Sequence, residues 1–196
     1  MKLYHVLINL LKPLCYLLFR IKMVNKKNIP ETGAYIICSN HISNLDPFLI
    51  AIGQKRAVHF MAKSELFKFK LLAWFFRKVG AFPVNRGRGD PNAVNEAFQT
   101  LKNGHVMGIF PEGTRTFNKE MLRFKPGAAM IAAKMQVPVI PAAIYCKGRI
   151  GLFKKITVRF GDPIPYQQLG VTEGSASELK AATQLLMDAV QVLKYE

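Results

Sequence analysis

Short apolar runs alternate with longer amphipathic segments along this chain, and that alternation is what most limits its fold. The short runs are bounded by Gly, Pro, Asn or Asp and are typical of buried strands, whereas the longer segments repeat apolar residues every three or four positions, as helices do. The pattern predicts an α/β fold, with a mixed sheet flanked by helices. With 196 residues, the chain fits one domain with a full hydrophobic core. The predicted strands are 34–38, 57–61, 81–84, 106–110, 139–145 and 156–160, and the predicted helices are 47–54, 70–78, 91–102, 126–135 and 177–193.

The charge of the chain is strongly positive. It has 28 Lys and Arg against 12 Asp and Glu, for a formal net charge of +16. Such an excess attracts nucleic acid, an anionic membrane surface or an acidic carrier protein. The basic residues are not interleaved with aromatics in a recognisable nucleic-acid-binding pattern, so we expect no nucleic-acid partner. A basic nucleic-acid-binding module remains the alternative from a different functional class.

The first 30 residues predict a helical segment that associates with a membrane. Residues 1–30 contain six Lys or Arg and no acidic residue. The apolar stretch 3–21 is interrupted by polar and charged residues and by Pro13, so one or two interfacial helices are favoured over a spanning helix. We therefore expect residues 1–30 to lie on an anionic membrane at its cytoplasmic face, and residues 31–196 to form the catalytic domain. The alternative is an amphipathic helix that packs on the core.

A histidine and an aspartate follow the first predicted strand, in the sequence NHISNLDP at positions 40–47. Histidine can act as a general base near neutral pH, and a carboxylate that holds its second ring nitrogen improves it in that role. Asp46 lies five residues after His41 and can fold back across the turn to do so. The alternative is structural: Asp46 would cap the helix that begins at Pro47, and His41 would be a hydrogen-bonded loop residue.

A second motif, FPEGTR at positions 110–115, follows the strand 106–110. Gly113 permits a tight turn in which backbone N–H groups can approach an anion. Arg115 offers a planar guanidinium that matches a phosphate, and Glu112 could hold that Arg or position an acceptor. An ordinary turn with a surface ion pair is the alternative.

Two further basic residues lie at predicted strand or helix ends. Arg86 follows the strand 81–84, and Lys125 precedes the helix 126–135, whose amino terminus favours anions. The segment VPVIP at 137–141 is expected to be purely structural. His5, His59 and His105 show no metal-ligand spacing, so we expect no metal.

The predicted helix 70–78 is rich in aromatic and aliphatic residues and has basic residues at both ends. It could be a buried helix. It could also form a wall of an acyl-chain groove or a second membrane contact with its basic residues at the headgroups. The sequence does not separate these readings.

The motifs together, in this order and spacing, resemble the four blocks of the glycerolipid acyltransferase family, and in particular its bacterial 1-acyl-sn-glycerol-3-phosphate acyltransferases. The resemblance covers about residues 34–161. It implies an α/β fold with an N-terminal membrane element. It also implies that His41 is the general base and Asp46 its partner. The implied acceptor-binding residues are Arg86, Glu112, Gly113, Thr114, Arg115 and Lys125. The block around Arg86 departs slightly, with Asn85 where an acidic residue often precedes the Arg.

The resemblance further implies the reaction. A fatty-acyl group would pass from acyl-CoA or acyl carrier protein to lysophosphatidic acid and give phosphatidic acid, without a cofactor. Glycerol 3-phosphate or another lysolipid is the alternative acceptor. The chain has no Gly-x-Ser-x-Gly motif, and Cys38 lies in an apolar strand, so we expect direct transfer without an acyl-enzyme.

Overall fold

The computed structural model describes residues 2–85, 89–116 and 120–195, which form helices packed on a seven-stranded sheet. The strand order across the sheet is β1-β7-β6-β2-β5-β3-β4. The strands are β1 Arg20–Val24, β2 Tyr35–Ser39, β3 Val58–Lys63, β4 Ala81–Val84, β5 Val106–Ile109, β6 Val139–Cys146 and β7 Lys155–Phe160. The helices are α1 Lys2–Leu18, α2 Asp46–Ile52, α3 Lys70–Lys78, α4 Pro91–Lys102, α5 Gly127–Met135 and α6 Ala176–Tyr195.

The sheet is mixed, as predicted. Strands β6, β2, β5, β3 and β4 run parallel to one another, β7 is antiparallel to β6, and β1 is parallel to β7. Strand β2, in the centre, is buried along its whole length, which explains its continuous apolar sequence. The carboxyl ends of the five parallel strands therefore meet at one edge of the sheet.

Helices cover both faces of the sheet, and each face has its own apolar cluster. Helices α4, α5 and α6 contribute buried residues to one cluster, and α2 contributes to the other. Ile8, Cys15 and Phe19, in and just after α1, pack against the α2 cluster. Parallel connections are right-handed, and both β2–α2–β3 and β3–α3–β4 step toward the β4 edge, which places α3 on the same face as α1 and α2.

The N-terminal region differs from its sequence-based prediction. We expected residues 1–30 to be helical, but the helix ends at Leu18 and Arg20–Val24 forms an edge strand paired with β7. Ile21 and Met23 alternate with basic residues, and both pack against the core, so a two-residue period is present in this short stretch. Pro13 lies inside α1, which is therefore one helix rather than two.

Helix α1 has features of both alternatives for this segment, a helix that packs on the core and a helix that lies on a membrane. Tyr4 is buried and its hydroxyl accepts a hydrogen bond from the Val58 N–H at 3.2 Å, so one side of α1 packs on the core. Away from this contact, α1 exposes large apolar residues: Val6, Leu10, Leu11, Leu14, Tyr16 and Leu17. Within the described part of the chain, the helices are too short or too polar to cross a bilayer.

Candidate active site at the carboxyl edge of the sheet

The two motifs of the sequence meet because their strands are neighbours. Strands β2 and β5 are parallel and paired, with Cys38 opposite Ile109. The loop that carries His41 leaves β2 beside the loop 110–116 that leaves β5. The Thr116 N–H donates to the His41 carbonyl at 2.9 Å, which ties the two loops together. This edge is where α/β sheets commonly place their sites.

His41 and Asp46 form a buried pair. The distance from His41 Nδ1 to Asp46 Oδ2 is 2.7 Å, and Asp46 is fully buried. The same Oδ2 accepts backbone hydrogen bonds from Ile42 at 2.6 Å and Ser43 at 2.7 Å. Because a carboxylate oxygen can only accept, Nδ1 donates to it, and in the neutral imidazole Nε2 is then the nitrogen with the lone pair. Asp46 thus turns back onto the loop, and its side chain makes no capping bond to α2.

The imidazole ring of His41 is fixed by stacking as well. It lies on the ring of Phe110 with centroids 4.3 Å apart and an interplanar angle of 20°. Phe110 in turn stacks on Phe60 of β3 at 5.7 Å. Because rotation of the ring would break both the stack and the bond to Asp46, Nε2 has a defined direction.

Glu112 holds the backbone of His41. Its carboxylate is almost fully buried, and Oε1 accepts a hydrogen bond from the His41 N–H at 2.7 Å. Its second oxygen accepts from the Leu122 N–H at 2.8 Å and from the Thr116 hydroxyl at 3.3 Å. Glu112 therefore connects three segments of the site. The sequence suggested an acceptor contact for this residue, and the structure gives it a positioning contact that the sequence did not indicate.

Asn40 is a second positioning residue, and its role was not predicted from the sequence. It is fully buried, and its amide group pairs with the backbone of Ile144 in β6. Nδ2 donates to the Ile144 carbonyl at 2.9 Å and Oδ1 accepts from the Ile144 N–H at 2.8 Å. The side chain thereby extends the β2–β6 pairing by one step and fixes the start of the His41 loop. A polar amide directly after a buried strand was the available signal.

A cavity of about 250 Å³ opens beside His41. Gly113 and Lys125 line it together with His41, and apolar residues such as Met61 and Ile131 form its walls. Gly113 has a φ of 70°, and a Cβ there would lie 2.9 Å from Lys125 Nζ. The backbone conformation therefore favours glycine at this position, and Lys125 packs close to it.

The remaining predicted acceptor residues are distributed around this cavity. Arg115 Nη1 donates to Asn44 Oδ1 at 2.6 Å, which links the guanidinium to the His41 loop, and Thr114 is exposed. Lys125, rather than Arg115, lines the cavity itself. Arg86 lies outside the described residues, although its neighbour Asn85 lines the cavity.

Two nearby groups, Ser43 and Cys38, have the side chains of nucleophiles, but their surroundings indicate structural roles. Ser43 Oγ accepts a hydrogen bond from the Leu45 N–H at 3.2 Å within the loop. Burial raises the pKa of the Cys38 thiol to about 12, with a further rise from the Glu112 carboxylate. Cys38 is therefore a neutral core residue near neutral pH. In the described part of the chain, His, Cys, Asp and Glu side chains do not gather in groups of three that could hold a metal ion.

Comparison with known proteins assigns the class. The sequence model of the family described as Acyltransferase matches residues 20–145, and the chain belongs to this family. Over 196 residues it is 34% identical to the 1-acyl-sn-glycerol-3-phosphate acyltransferase of Bacillus subtilis (strain 168), covering 97% of this chain and 96% of the relative. It is 32% identical over 147 residues to the enzyme of the same name from Streptococcus pneumoniae (strain ATCC BAA-255 / R6), covering 71% of this chain and 54% of that one.

A solved structure supports the same assignment. The crystal structure of the 1-acyl-sn-glycerophosphate (LPA) acyltransferase, PlsC, from Thermotoga maritima superposes with a TM-score of 0.69 at 30% identity. The match covers 88% of this chain and 70% of that one. The α/β fold inferred from the sequence is thereby confirmed.

Proposed function

We propose that this acyltransferase moves a fatty-acyl group from a thioester donor, acyl-CoA or acyl carrier protein, to the free hydroxyl of 1-acyl-sn-glycerol 3-phosphate, and so makes phosphatidic acid. The observation that carries the proposal is the buried His41–Asp46 pair, with Nδ1 and Oδ2 2.7 Å apart, beside a cavity that also contains Lys125. The names of the similar enzymes support this choice of acceptor.

The pair accounts for the chemistry of transfer. His41 Nε2 takes the proton of the acceptor hydroxyl as its oxygen attacks the thioester carbonyl carbon. The ring then carries a positive charge, which Asp46 stabilises through Nδ1. When the tetrahedral intermediate collapses, the C–S bond breaks and the sulfur leaves with the proton from Nε2. An ester and a free thiol are the products, and His41 returns to its starting state.

The acceptor phosphate is the proposed ligand of the basic residues. Lys125 lines the cavity beside His41, and Arg115 is anchored to Asn44 on the catalytic loop. Either cation can form charge-assisted hydrogen bonds to a phosphomonoester. Arg86 and the Gly113–Thr114 turn are proposed to contribute to the same subsite. A phosphate held here would place the neighbouring glycerol hydroxyl within the cavity that His41 faces.

Room for a second substrate exists on the other side of the catalytic loop. A cavity of about 380 Å³ is lined by Ile42, Ser43 and Thr116, and by residues at the end of β6. Two cavities that border one loop fit a reaction in which donor and acceptor are both bound before transfer. We assign the larger one to the donor.

We place the enzyme at the cytoplasmic face of the cell membrane, with α1 on the bilayer. The outer side of α1 exposes large apolar residues, and residues 1–30 carry only basic charges. An apolar helix surface with basic neighbours suits an anionic interface. This location would also bring the active site to its lipid acceptor.

A direct test measures thiol release by the purified wild-type enzyme, with both donors and a panel of acceptors. We expect fast release with 1-acyl-sn-glycerol 3-phosphate, slow release with glycerol 3-phosphate and with lysolipids that lack a phosphomonoester, and phosphatidic acid as the product by mass spectrometry. Equal rates on phosphorylated and neutral lysolipids would refute the proposed phosphate subsite and point to a different acceptor.

A further inference from the structure

Helix α3 and the residues that lead into it expose an unusual amount of apolar surface. None of the residues of α3 is buried. The exposed fractions are 69% for Phe69, 76% for Leu71 and 53% for Trp74. We call this region the α3 surface, and its exposed large apolar residues are Leu66, Phe69, Leu71, Leu72, Trp74 and Phe75. Soluble proteins rarely leave such residues contiguous and uncovered unless they meet a partner.

The geometry of α3 separates an outer side from an inner one. Leu71, Trp74 and Phe75 have the spacing i, i+3 and i+4, so they form one stripe along the helix. Phe76 instead contacts Phe67, with ring centroids 5.7 Å apart. The helix therefore packs on the protein through its inner side, and the outward stripe is exposed at the surface.

The charges around this stripe favour an anionic partner. Lys68 and Lys70 precede it, Arg77 and Lys78 end it, and residues 66–78 contain no acid. Arg77 is held over the ring of Phe67 at 5.8 Å. Glu65, just outside, is already paired with Lys63 at 2.9 Å. Apolar side chains between basic ends match a bilayer interface, where the apolar groups enter the acyl region and the cations stay among the phosphates.

The position of α3 fits a flat surface that also touches α1. Both helices lie on the α2 face of the sheet, with α3 toward the β4 edge and the carboxyl end of α1 toward the β1 edge, where the Leu18 carbonyl accepts a hydrogen bond from the Phe153 N–H. In addition, Met61 of β3 and Val84 of β4 line the cavity beside His41 near the carboxyl ends of their strands. The short segment Ser64–Phe67, which leads into α3, contacts both strands at that edge of the sheet, so the start of α3 lies near the edge where the cavity opens.

We propose that the α3 surface is a second membrane contact, which enters the outer apolar layer of an anionic bilayer and, with α1, fixes the orientation of the enzyme. The inference deepens the proposed function and rests on it for the membrane location. Two contacts on one face prevent the protein from tilting about α1. They hold the cavity beside His41 next to the lipid, so that a lysolipid acceptor reaches it without crossing water.

Trp74 provides the first readout, because it is the single tryptophan of the chain. Vesicles of phosphatidylglycerol and phosphatidylcholine are added to the full-length protein, and co-sedimentation and tryptophan emission are followed together. We expect the emission to shift to the blue as the protein binds, and to be quenched by lipids with brominated acyl chains. Co-sedimentation without a blue shift, or no binding to these vesicles at all, would overturn the proposal.

A matched pair of variants provides the second readout. Leu71→Ser with Phe75→Ser removes part of the stripe and keeps Trp74, whereas Leu185→Ser with Val192→Ser changes exposed apolar residues of α6, on the other face. The α3 variant should bind the vesicles about tenfold more weakly, and the α6 variant like the wild type. Equal effects of the two variants would overturn the proposal. So would a blue shift that appears without vesicles and grows with protein concentration, because it would identify a second copy as the partner.

Activity separates this inference from the proposed function. On a short-chain lysophosphatidate that is monomeric in water, the α3 variant should turn over at the wild-type rate, whereas on acceptor in vesicles it should be slower by about the loss in binding. If the wild type transfers no acyl group to either acceptor, the proposed function fails. If the α3 variant matches the wild-type rate on the acceptor in vesicles as well as on the monomeric one, only the proposed role of α3 fails.

Discussion

At the scale of single residues, the alignment of His41 depends on groups that bind the ring and the backbone of the loop that carries it. Asp46 fixes the ring, but Glu112 and Asn40 fix the backbone that carries it. His41 is the proposed general base, and a displacement of about 1 Å at such a group can lower a rate about 10²-fold, so we expect these supports to affect catalysis as well as stability. They act across 71 and 104 positions of sequence, respectively.

The variant Glu112→Gln separates positioning from acceptor binding. The amide cannot accept at both ends, so one of the N–H groups of His41 and Leu122 loses its partner, at a cost of about 1–3 kcal/mol. We expect kcat to fall about tenfold or more while the KM for lysophosphatidate changes little. The control is Glu120→Gln, which changes an exposed carboxylate of the neighbouring segment. A rise in the acceptor KM without a fall in kcat would instead assign Glu112 to the acceptor.

The basic residues should affect binding of the acceptor rather than the donor. Arg115→Ala and Lys125→Ala each remove a charge proposed to contact the phosphate, so each should raise the lysophosphatidate KM about tenfold or more and leave the donor KM nearly unchanged. Arg115→Lys should restore only part of the loss, since it returns the charge without the planar group. Steady-state kinetics with each substrate varied in turn make the measurement. A larger effect on the donor KM would move these residues to the donor site.

At the scale of elements, most strands were predictable and one was not. Strands β2 to β7 are mainly apolar because most of their residues are buried or half-buried, and the sequence located all six. Strand β1 was missed because it has only five residues and two of them are exposed and basic, which matches the membrane-associating helix expected there. The exposure of α3 was equally hidden, since its apolar residues fit a buried helix as well as a surface one.

The start of α6 gives a prediction about pH. The Thr172 hydroxyl and the N–H groups of Ser175, Thr172 and Glu173 donate to the Glu178 carboxylate, and these bonds lower the pKa of Glu178 to about 2. Ser175 Oγ accepts from the Glu178 N–H at 3.3 Å, which completes a reciprocal cap. A carboxyl with a lowered pKa stabilises the fold above its unfolded pKa of about 4.5, and the stabilisation is lost as pH falls toward about 2.

The variant Glu178→Gln tests that cap. Its Tm should be lower than that of the wild type at pH 7, and the difference should narrow below about pH 4.5, where the wild-type carboxyl takes up a proton in the unfolded chain but not yet in the folded one. Thermal unfolding followed by circular dichroism at pH 7, 5 and 3.5 measures it, with Glu173→Gln as the matched control on the same turn. A difference that is constant across this range would show that the charge of Glu178 is not involved.

At the scale of the whole molecule, sequence and fold contribute different parts of the account. The two motifs of the candidate site could be found in the sequence because each one follows a strand of the parallel set, where loops converge. It could not show that Glu112 and Asn40 support His41, since those contacts require the sheet order to be known. The sequence also could not show which surface the excess of positive charge serves. The fold suggests one, because α1 and α3 lie on the same face of the sheet and both expose apolar residues beside basic ones.

The central claim is that His41, held by Asp46, takes the proton from the acceptor hydroxyl. The most direct measurement is the turnover of purified His41→Ala with an acyl thioester and lysophosphatidate, beside the wild type, with thermal unfolding and vesicle binding as controls for the fold. We predict a loss of about 10² to 10⁴ in kcat with the fold and the binding intact. Near-normal turnover by His41→Ala would contradict the account, because the proton would then have to leave by another group.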